Sequence, residues 1–233
     1  MQYSKIGYVK DLETYEIEPL RKFDFQPSVT LLRNINQYQQ YDHVNFILSL
    51  NNDLSMRYTR ALHWFRNSNY ETNKQVKTLF LWFSLEALFK QTEKDNISGK
   101  VRIFVGFPRL SNSKFKESLL VKELKQHPSY EFWFKKFPVQ LDMIREFRNE
   151  SVHAGFRAVE LTKENLNFYC NILEMTVPRC LNAVNVALLN DIDNIDRFVD
   201  NMADLFEKAV NKNDIHGTFI YSLDKYREKL NLG

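Results

Sequence analysis

The sequence has few of the residues that form tight turns, with only six glycines and six prolines among 233 residues. Average usage would give about a dozen or more of each. Hairpins and tight turns depend on these residues, so their scarcity disfavours a fold rich in sheet. We expect an all-α fold, and the chain is long enough to bury a core without disulfides or metal ions.

Cysteine is rarer still, since only Cys170 and Cys180 are present. They lie ten residues apart, without a Cys-x-x-Cys pair or a histidine at metal-ligand spacing. The acidic run after residue 190 lacks the central glycine and closing glutamate of a calcium loop. We therefore predict no disulfide framework, no metal site and no cofactor, and a reducing cytoplasmic location fits this cysteine usage best.

Long apolar runs are also missing. The longest, Leu79–Phe83, is far too short to cross a bilayer, and the N-terminus lacks an apolar core behind a basic start. We expect a cytoplasmic protein without membrane association. The net charge of +3 and the pI near 8.7 permit an anionic partner but do not by themselves indicate nucleic-acid binding.

Apolar residues at three- and four-residue steps predict two helices in the first half of the chain. The first begins after a cap at Asn52 or Asp53. The second runs from about Thr72 to Gln91 and is apolar nearly all round, which places it at the centre of a bundle or partly in a subunit interface. Glu86 is an isolated acid within that second helix, and burying it requires a partner.

A further helix is predicted from about Tyr130 to Ala154, bent or restarted at Pro138 and ended by Gly155. Four apolar residues of this helix are expected to face inward: Val139, Met143, Ile144 and Phe147. Thr162 is the predicted cap of a long helix with a bend at Pro178. Two short helices are expected between residues 96 and 128.

The pattern divides the chain into three regions. Residues 1–50 form an irregular N-terminal arm or short strands, because Pro19 and Pro27 interrupt any long helix. Residues 51–190 form the main helical domain. Residues 191–233 form a C-terminal helical extension.

Chemistry is concentrated in the run Arg148-Asn149-Glu150-Ser151-Val152-His153. It brings a permanent cation, an amide and the side chain that titrates near neutrality into six residues, which suits phosphate chemistry. In an ideal helix Arg148 and His153 differ by about 140° around the axis and about 7.5 Å along it. One copy therefore presents the two side chains poorly to one phosphodiester, except at a frayed end or an interface.

The run resembles the Arg-x4-6-His motif of the HEPN (higher eukaryote and prokaryote nucleotide-binding) superfamily, in which Asn, Asp or His often follows the arginine. Upstream, the segments Arg60-Ala-Leu-His-Trp-Phe and Leu79-Phe-Leu-Trp-Phe-Ser-Leu-Glu-Ala-Leu-Phe resemble the paired helices of the Apea-like HEPN group. The resemblance covers about residues 50–190.

The resemblance implies a HEPN-like helical bundle that forms a homodimer, with the two motifs facing each other in a composite, metal-independent endoribonuclease site. His153 would act as general acid or base, Arg148 would hold the phosphate, and Asn149 would orient the histidine or the substrate. Glu86 matches an acid that some Apea-like members carry facing the motif, where it pairs with Arg148 or tunes His153. The expected context is a bacterial toxin or antiphage defence system, with RNA as substrate and an antitoxin or another defence protein as partner.

Two other functions fit the same residues. A catalytically silent HEPN module would bind nucleotide, RNA or a partner protein, and a purely structural adaptor would use Arg148 and Glu86 as a buried ion pair between helices. Arg57 and Arg60 belong to a basic stripe that either contacts RNA or is ordinary surface charge.

Overall fold

The chain divides into two units, residues 1–44 and 45–233. The architecture is that of a computed structural model. Within these units the structure describes residues 8–10, 17–19, 45–153 and 162–227.

The first unit contains two short strands, β1 (Tyr8–Lys10) and β2 (Ile17–Pro19). They pair antiparallel, with Val9 opposite Glu18. Short strands were one of the two predictions for the N-terminal arm.

The second unit is helical, and its described residues contain no strand, which confirms the predicted all-α class. A helical turn at residues 45–49 precedes the main elements. Between residues 96 and 128 there are three short helices where the sequence predicts two. In chain order the helices are α1 (Asp53–Tyr70), α2 (Lys74–Phe89), α3 (Ser98–Phe104), α4 (Ser113–Glu117), α5 (Leu119–Leu124), α6 (Tyr130–His153), α7 (Lys163–Leu188), α8 (Ile195–Asp200), α9 (Met202–Ala209), α10 (Lys212–Asp214), a π-helix (Ile215–Ile220) and α11 (Tyr221–Arg227).

Side-chain caps fix the starts of the long helices, where the first backbone N–H groups have no partner in the helix. Asn52 caps α1 in a reciprocal box with Ser55, as the sequence predicts. Asn73 accepts from two N–H groups at the start of α2. Thr162 accepts from the N–H of Asn165 and so caps α7, again as predicted.

Helix α2 lies at the centre of this unit, in contact with α1, α6 and α7. Leu81, Trp82 and Leu85 are almost completely buried. The hydroxyl of Ser84 donates to the carbonyl of Ala61 over 2.9 Å and so ties α2 to α1. The nearly uniform apolar character of α2 therefore reflects contact with other helices on several sides.

Helix α6 runs through Pro138 as one helix. Its first half packs aromatic side chains against the C-terminal segment, with the Phe137 and Phe219 ring centroids 5.4 Å apart. Ile144 and Phe147 are buried as predicted, but Val139 and Met143 are 52% and 40% exposed. The inward prediction for these two residues is wrong, because Val139 lies about 200° around the helix from Phe137, which sets the buried face. Gly155, the predicted helix end, lies outside the described residues.

The C-terminal segment packs on the same helical unit. Arg179 on α7 makes a two-pronged ion pair with Asp214 on α10, at 2.8 and 2.7 Å. The domain limits predicted after residues 50 and 190 stay a prediction. Among the described residues no helix combines the length and apolar character needed to span a membrane.

Candidate functional site

Glu86 has three partners within hydrogen-bonding or ion-pair range, so the prediction that it requires a partner is confirmed. Its Oε2 accepts from Arg148 Nη2 over 2.8 Å. Its Oε1 accepts from Trp82 Nε1 over 3.2 Å and lies 3.6 Å from Lys90 Nζ. Trp82 lies one turn before Glu86 on α2, and Lys90 is the capping residue directly after α2, one turn beyond Glu86. The helix and its C-terminal cap therefore bring the three side chains together.

Arg148 links α6 to α2. Besides the ion pair with Glu86, its guanidinium lies 5.5 Å from the ring centroid of Phe83 and its Nη1 donates to Asn149 Oδ1 over 3.1 Å. The Arg148 and Glu86 side chains are 17% and 16% exposed. Arg148 Nε is buried and has no hydrogen-bond partner among the described residues, so the group retains donor capacity beyond the pair.

A cavity of about 380 Å³ opens beside this cluster. Ligand sites typically occupy about 300–1,000 Å³, so the volume suits a small ligand or one residue of a polymer. The lining residues are mostly charged, with four basic and four acidic side chains. They are Trp82, Glu86, Lys90, Glu93, Lys94, Asp95, Ile97, Arg145, Glu146, Arg148 and Asn149.

Of the four predicted catalytic residues, the structure brings Glu86, Arg148 and Asn149 together at one cavity. His153 is the last residue of α6 and lies five residues beyond Arg148. Because the helix continues from Arg148 to His153, the two positions differ by about 140° around its axis. The side chain of His153 lies outside the described part of the chain.

Arg57 and Arg60, the two predicted substrate-binding residues, lie on α1 and are not lining residues of the cavity. Arg57 Nε is 3.0 Å from both carboxylate oxygens of Asp53, and its Nη1 donates to the carbonyl of Lys90 over 2.7 Å. Arg60 is exposed, and its Nε donates to the carbonyl of Met56 over 3.3 Å. Arg57 is therefore held by internal contacts next to Lys90, and the RNA contact of both arginines stays a prediction.

Sequence reasoning did not single out Trp82, Lys90 or Arg145 as site residues. Helical spacing was the available signal. Trp82 and Lys90 are four residues on either side of Glu86, and Arg145 is three residues before Arg148, so each lies on the same helix face as a predicted residue.

The two cysteines lie in α7, where both are free and buried. Burial raises the pKa of each thiol, so both are protonated at neutral pH and neither is set up as a nucleophile. Within the described ranges, no group of three or more histidine, cysteine, aspartate or glutamate side chains is arranged to hold a metal ion.

Comparisons of the chain with protein-family models, with curated proteins and with solved structures gave no match. The resemblance to the HEPN superfamily therefore depends on the sequence motifs alone and stays a prediction.

Proposed function

We propose that the chain is a metal-independent endoribonuclease of a bacterial toxin or antiphage defence system, acting in the cytoplasm as a homodimer. The observation that carries the proposal is the position of Arg148. Its guanidinium is held by Glu86 next to Asn149 at a cavity, on the helix that ends at His153. A fixed cation can stabilise the charge that develops on the phosphate and a histidine can transfer protons, which are the two needs of phosphodiester transfer within RNA.

In the proposed reaction the 2′-oxygen of the ribose attacks the adjacent phosphorus while its proton passes to a base. The bond from phosphorus to the 5′-oxygen breaks, and that oxygen takes a proton from an acid. The products are a 2′,3′-cyclic phosphate and a 5′-hydroxyl. The attacking group belongs to the substrate, so the reaction requires no metal-activated water.

Each side chain has a role in this scheme. His153 transfers the proton as general acid or base. Arg148 neutralises the charge that develops on the phosphate oxygens, and Glu86 holds Arg148 in position from α2. Asn149 orients the histidine or the substrate.

Helix geometry supports a site made from two copies. Because Arg148 and His153 are separated by about 140° around α6, one copy presents the two side chains poorly to one phosphate. A second copy that faces the first supplies His153 from one chain and Arg148 from the other. An antitoxin or another defence protein would restrain such an enzyme until it is needed.

The test is RNA cleavage in EDTA by the purified full chain and its His153→Ala variant. The control is His63→Ala, which removes an exposed histidine of α1 that bonds Asn67 and contacts the ring of Trp64, both on its own helix. We expect wild type and His63→Ala to leave 2′,3′-cyclic phosphate ends and His153→Ala to leave RNA intact. Absence of cleavage by both wild type and His153→Ala would contradict the ribonuclease proposal. Cleavage that requires metal ions would contradict the proposed mechanism.

One observation favours a second candidate, a catalytically silent module that binds nucleotide, RNA or a protein. Two of the guanidinium nitrogens of Arg148 already have partners within the chain, as expected for a group with a structural role. For that module, RNA binding persists in His153→Ala without any cleavage by wild type. For a purely structural adaptor, Arg148→Ala lowers stability and changes no binding.

A further inference from the structure

Among the partly buried charged residues that line the cavity beside Arg148, cations outnumber carboxylates. Three partly buried cations line it, Lys90, Arg145 and Arg148, together with the carboxylates of Glu86 and Asp95. The other charged lining residues are exposed, so solvent screens them more strongly. They are Glu93, Lys94 and Glu146.

Asp95 is also an anion of this lining, but donors of its own turn occupy both of its carboxylate oxygens. Its Oδ2 accepts from the N–H groups of Gln91 and Thr92 over 2.9 and 3.2 Å, and its Oδ1 accepts from the Thr92 hydroxyl over 2.6 Å. These hydrogen bonds, the hydroxyl first, lower the pKa of Asp95 to about 2. Glu86 is therefore the lining carboxylate that pairs with Lys90 and Arg148, and the three partly buried cations exceed the two partly buried carboxylates by one charge.

Lys90 and Arg145 are only loosely paired. Lys90 Nζ lies 3.6 Å from Glu86 Oε1, and Arg145 Nη2 lies 3.6 Å from Asp142 Oδ1. Both separations exceed a normal hydrogen bond, and Asp142 is not among the lining residues. The donors of both cations can therefore turn to an anion in the cavity at small cost.

We propose that Lys90 and Arg145 form a second phosphate subsite, which holds the phosphate next to the one that reacts. The proposal rests on the proposed function, since it assigns the cavity to the RNA strand whose reacting phosphate Arg148 holds. Arg145 and Arg148 are three residues apart on α6, where Cβ atoms are about 5–6 Å apart, so they can reach neighbouring groups of one ligand. The volume of about 380 Å³ accommodates a nucleotide rather than a longer segment.

The test compares two probes that cannot react because they lack a 2′-hydroxyl. 2′-Deoxyuridine 3′,5′-bisphosphate carries two phosphates and 2′-deoxyuridine 3′-monophosphate carries one. Isothermal titration calorimetry on the full chain gives both dissociation constants. Since a charge-assisted hydrogen bond contributes about 1.5–3 kcal/mol, we expect the bisphosphate to bind about tenfold tighter or more.

The variants separate the two subsites. Arg145→Gln and Lys90→Met are expected to bring the ratio of the two constants close to one. Arg148→Gln is expected to weaken both probes and to keep the ratio. The control is Lys135→Gln, which removes an exposed positive charge from the same helix, away from the cavity lining, and is expected to behave as wild type.

Three results would overturn the proposal of a second phosphate subsite. They are a ratio of the two dissociation constants near one in wild type, a ratio that Arg145→Gln and Lys90→Met leave unchanged, and no binding of either probe at millimolar concentration. If Lys90→Met fails to fold, Arg145→Gln decides alone, because its side chain is one-third exposed. The probes report binding without cleavage. A chain that shows the expected ratio but leaves RNA intact in the EDTA assay would retain the subsite and lose the ribonuclease function.

Discussion

A tryptophan–carboxylate hydrogen bond lies near each end of helix α6, the first between α6 and α11 and the second within the neighbouring α2. The two carboxylates have different surroundings. Near the start of α6, Trp133 Nε1 donates to Asp224 Oδ1 over 2.6 Å and the Ser129 hydroxyl donates to Oδ2 over 2.8 Å. Both donors are neutral. This carboxylate fastens α11 to α6 within packed aromatic side chains.

Near the end of α6 the carboxylate belongs to Glu86, and Trp82 is its neutral donor. Here the other two partners, Arg148 and Lys90, are cations, and a cavity opens beside them.

The two carboxylates together show which buried acids indicate a functional site. Neutral donors satisfy both oxygens of the Asp224 carboxylate, so the start of α6 has a structural role. At Glu86 two cations share one carboxylate, and the excess positive charge faces open space. A half-buried acid is therefore informative only together with its partners and the space beside them.

The largest effect on stability is expected at the start of α6, where Trp133 bonds Asp224. Trp133→Ala should lower the free energy of unfolding by about 4 kcal/mol, because it empties a completely buried site. The control Phe132→Ala changes the neighbouring, partly buried ring and should cost about 1–2 kcal/mol. Urea denaturation followed by circular dichroism measures both. Equal losses would show that the complete burial of Trp133 does not set its contribution to stability.

The second prediction concerns the ion pair of Glu86 and Arg148 near the end of α6. Glu86→Ala should cost about 3 kcal/mol, because it leaves Arg148 largely buried without its anion. Glu86→Ala combined with Arg148→Met should recover a large part of that loss, and denaturation of the single and double variants gives the coupling.

The control for this cycle is the pair Asp193 and Arg197, in which both side chains are 53% exposed. Its coupling should stay below about 1 kcal/mol. A coupling at Glu86 and Arg148 no larger than this would mean that solvent already screens the pair.

Local sequence predicts much of this molecule. Helix starts at Asn52 and Thr162 follow from side chains that cap the nearest N–H groups. The need for a partner at Glu86 follows from the cost of burying a carboxylate. In each case the cause lies within one turn of the residue concerned.

Features that depend on packing between distant segments could not be predicted. The buried face of α6 is set by contacts with residues about 80 positions later, so Val139 and Met143 were placed on the wrong side. His127 and His216, which share no spacing in the sequence, have ring centroids 5.0 Å apart. The cavity exists only because the ends of α2 and α6 lie side by side.

The third effect compares the two indoles. Trp133→Phe should cost about 1.5 kcal/mol, because Asp224 keeps only the Ser129 hydroxyl. Trp82→Phe should cost less, about 0.5–1 kcal/mol, because its bond is longer at 3.2 Å and Glu86 keeps Arg148 and Lys90. Urea midpoints provide the test. The opposite order would mean that the indole, rather than the cations, holds Glu86.

The smallest effect is a pH dependence of stability near the start of α6. There His127 Nδ1 accepts from the N–H of Ser129 over 3.1 Å. That bond requires Nδ1 to be unprotonated. Burial first, and then the neighbouring His216, lower the pKa of His127, which the Asp224 charge partly offsets. Because the folded pKa lies below the unfolded value of about 6.5, the unfolded chain binds more protons. The free energy of unfolding therefore falls as the pH drops from about 7 through the folded pKa, and levels off below it.

His127→Gln sharpens this prediction, because an amide oxygen still accepts from Ser129 but does not titrate. Urea midpoints measured between pH 7 and pH 5 should fall less in His127→Gln than in wild type. His63→Gln, at an exposed position on α1, should retain the full wild-type slope. If His127→Gln also retains it, carboxylates elsewhere carry the dependence. A reduced slope would show that acid destabilises the start of α6, because the hydrogen bond from the Ser129 N–H there requires His127 to be uncharged.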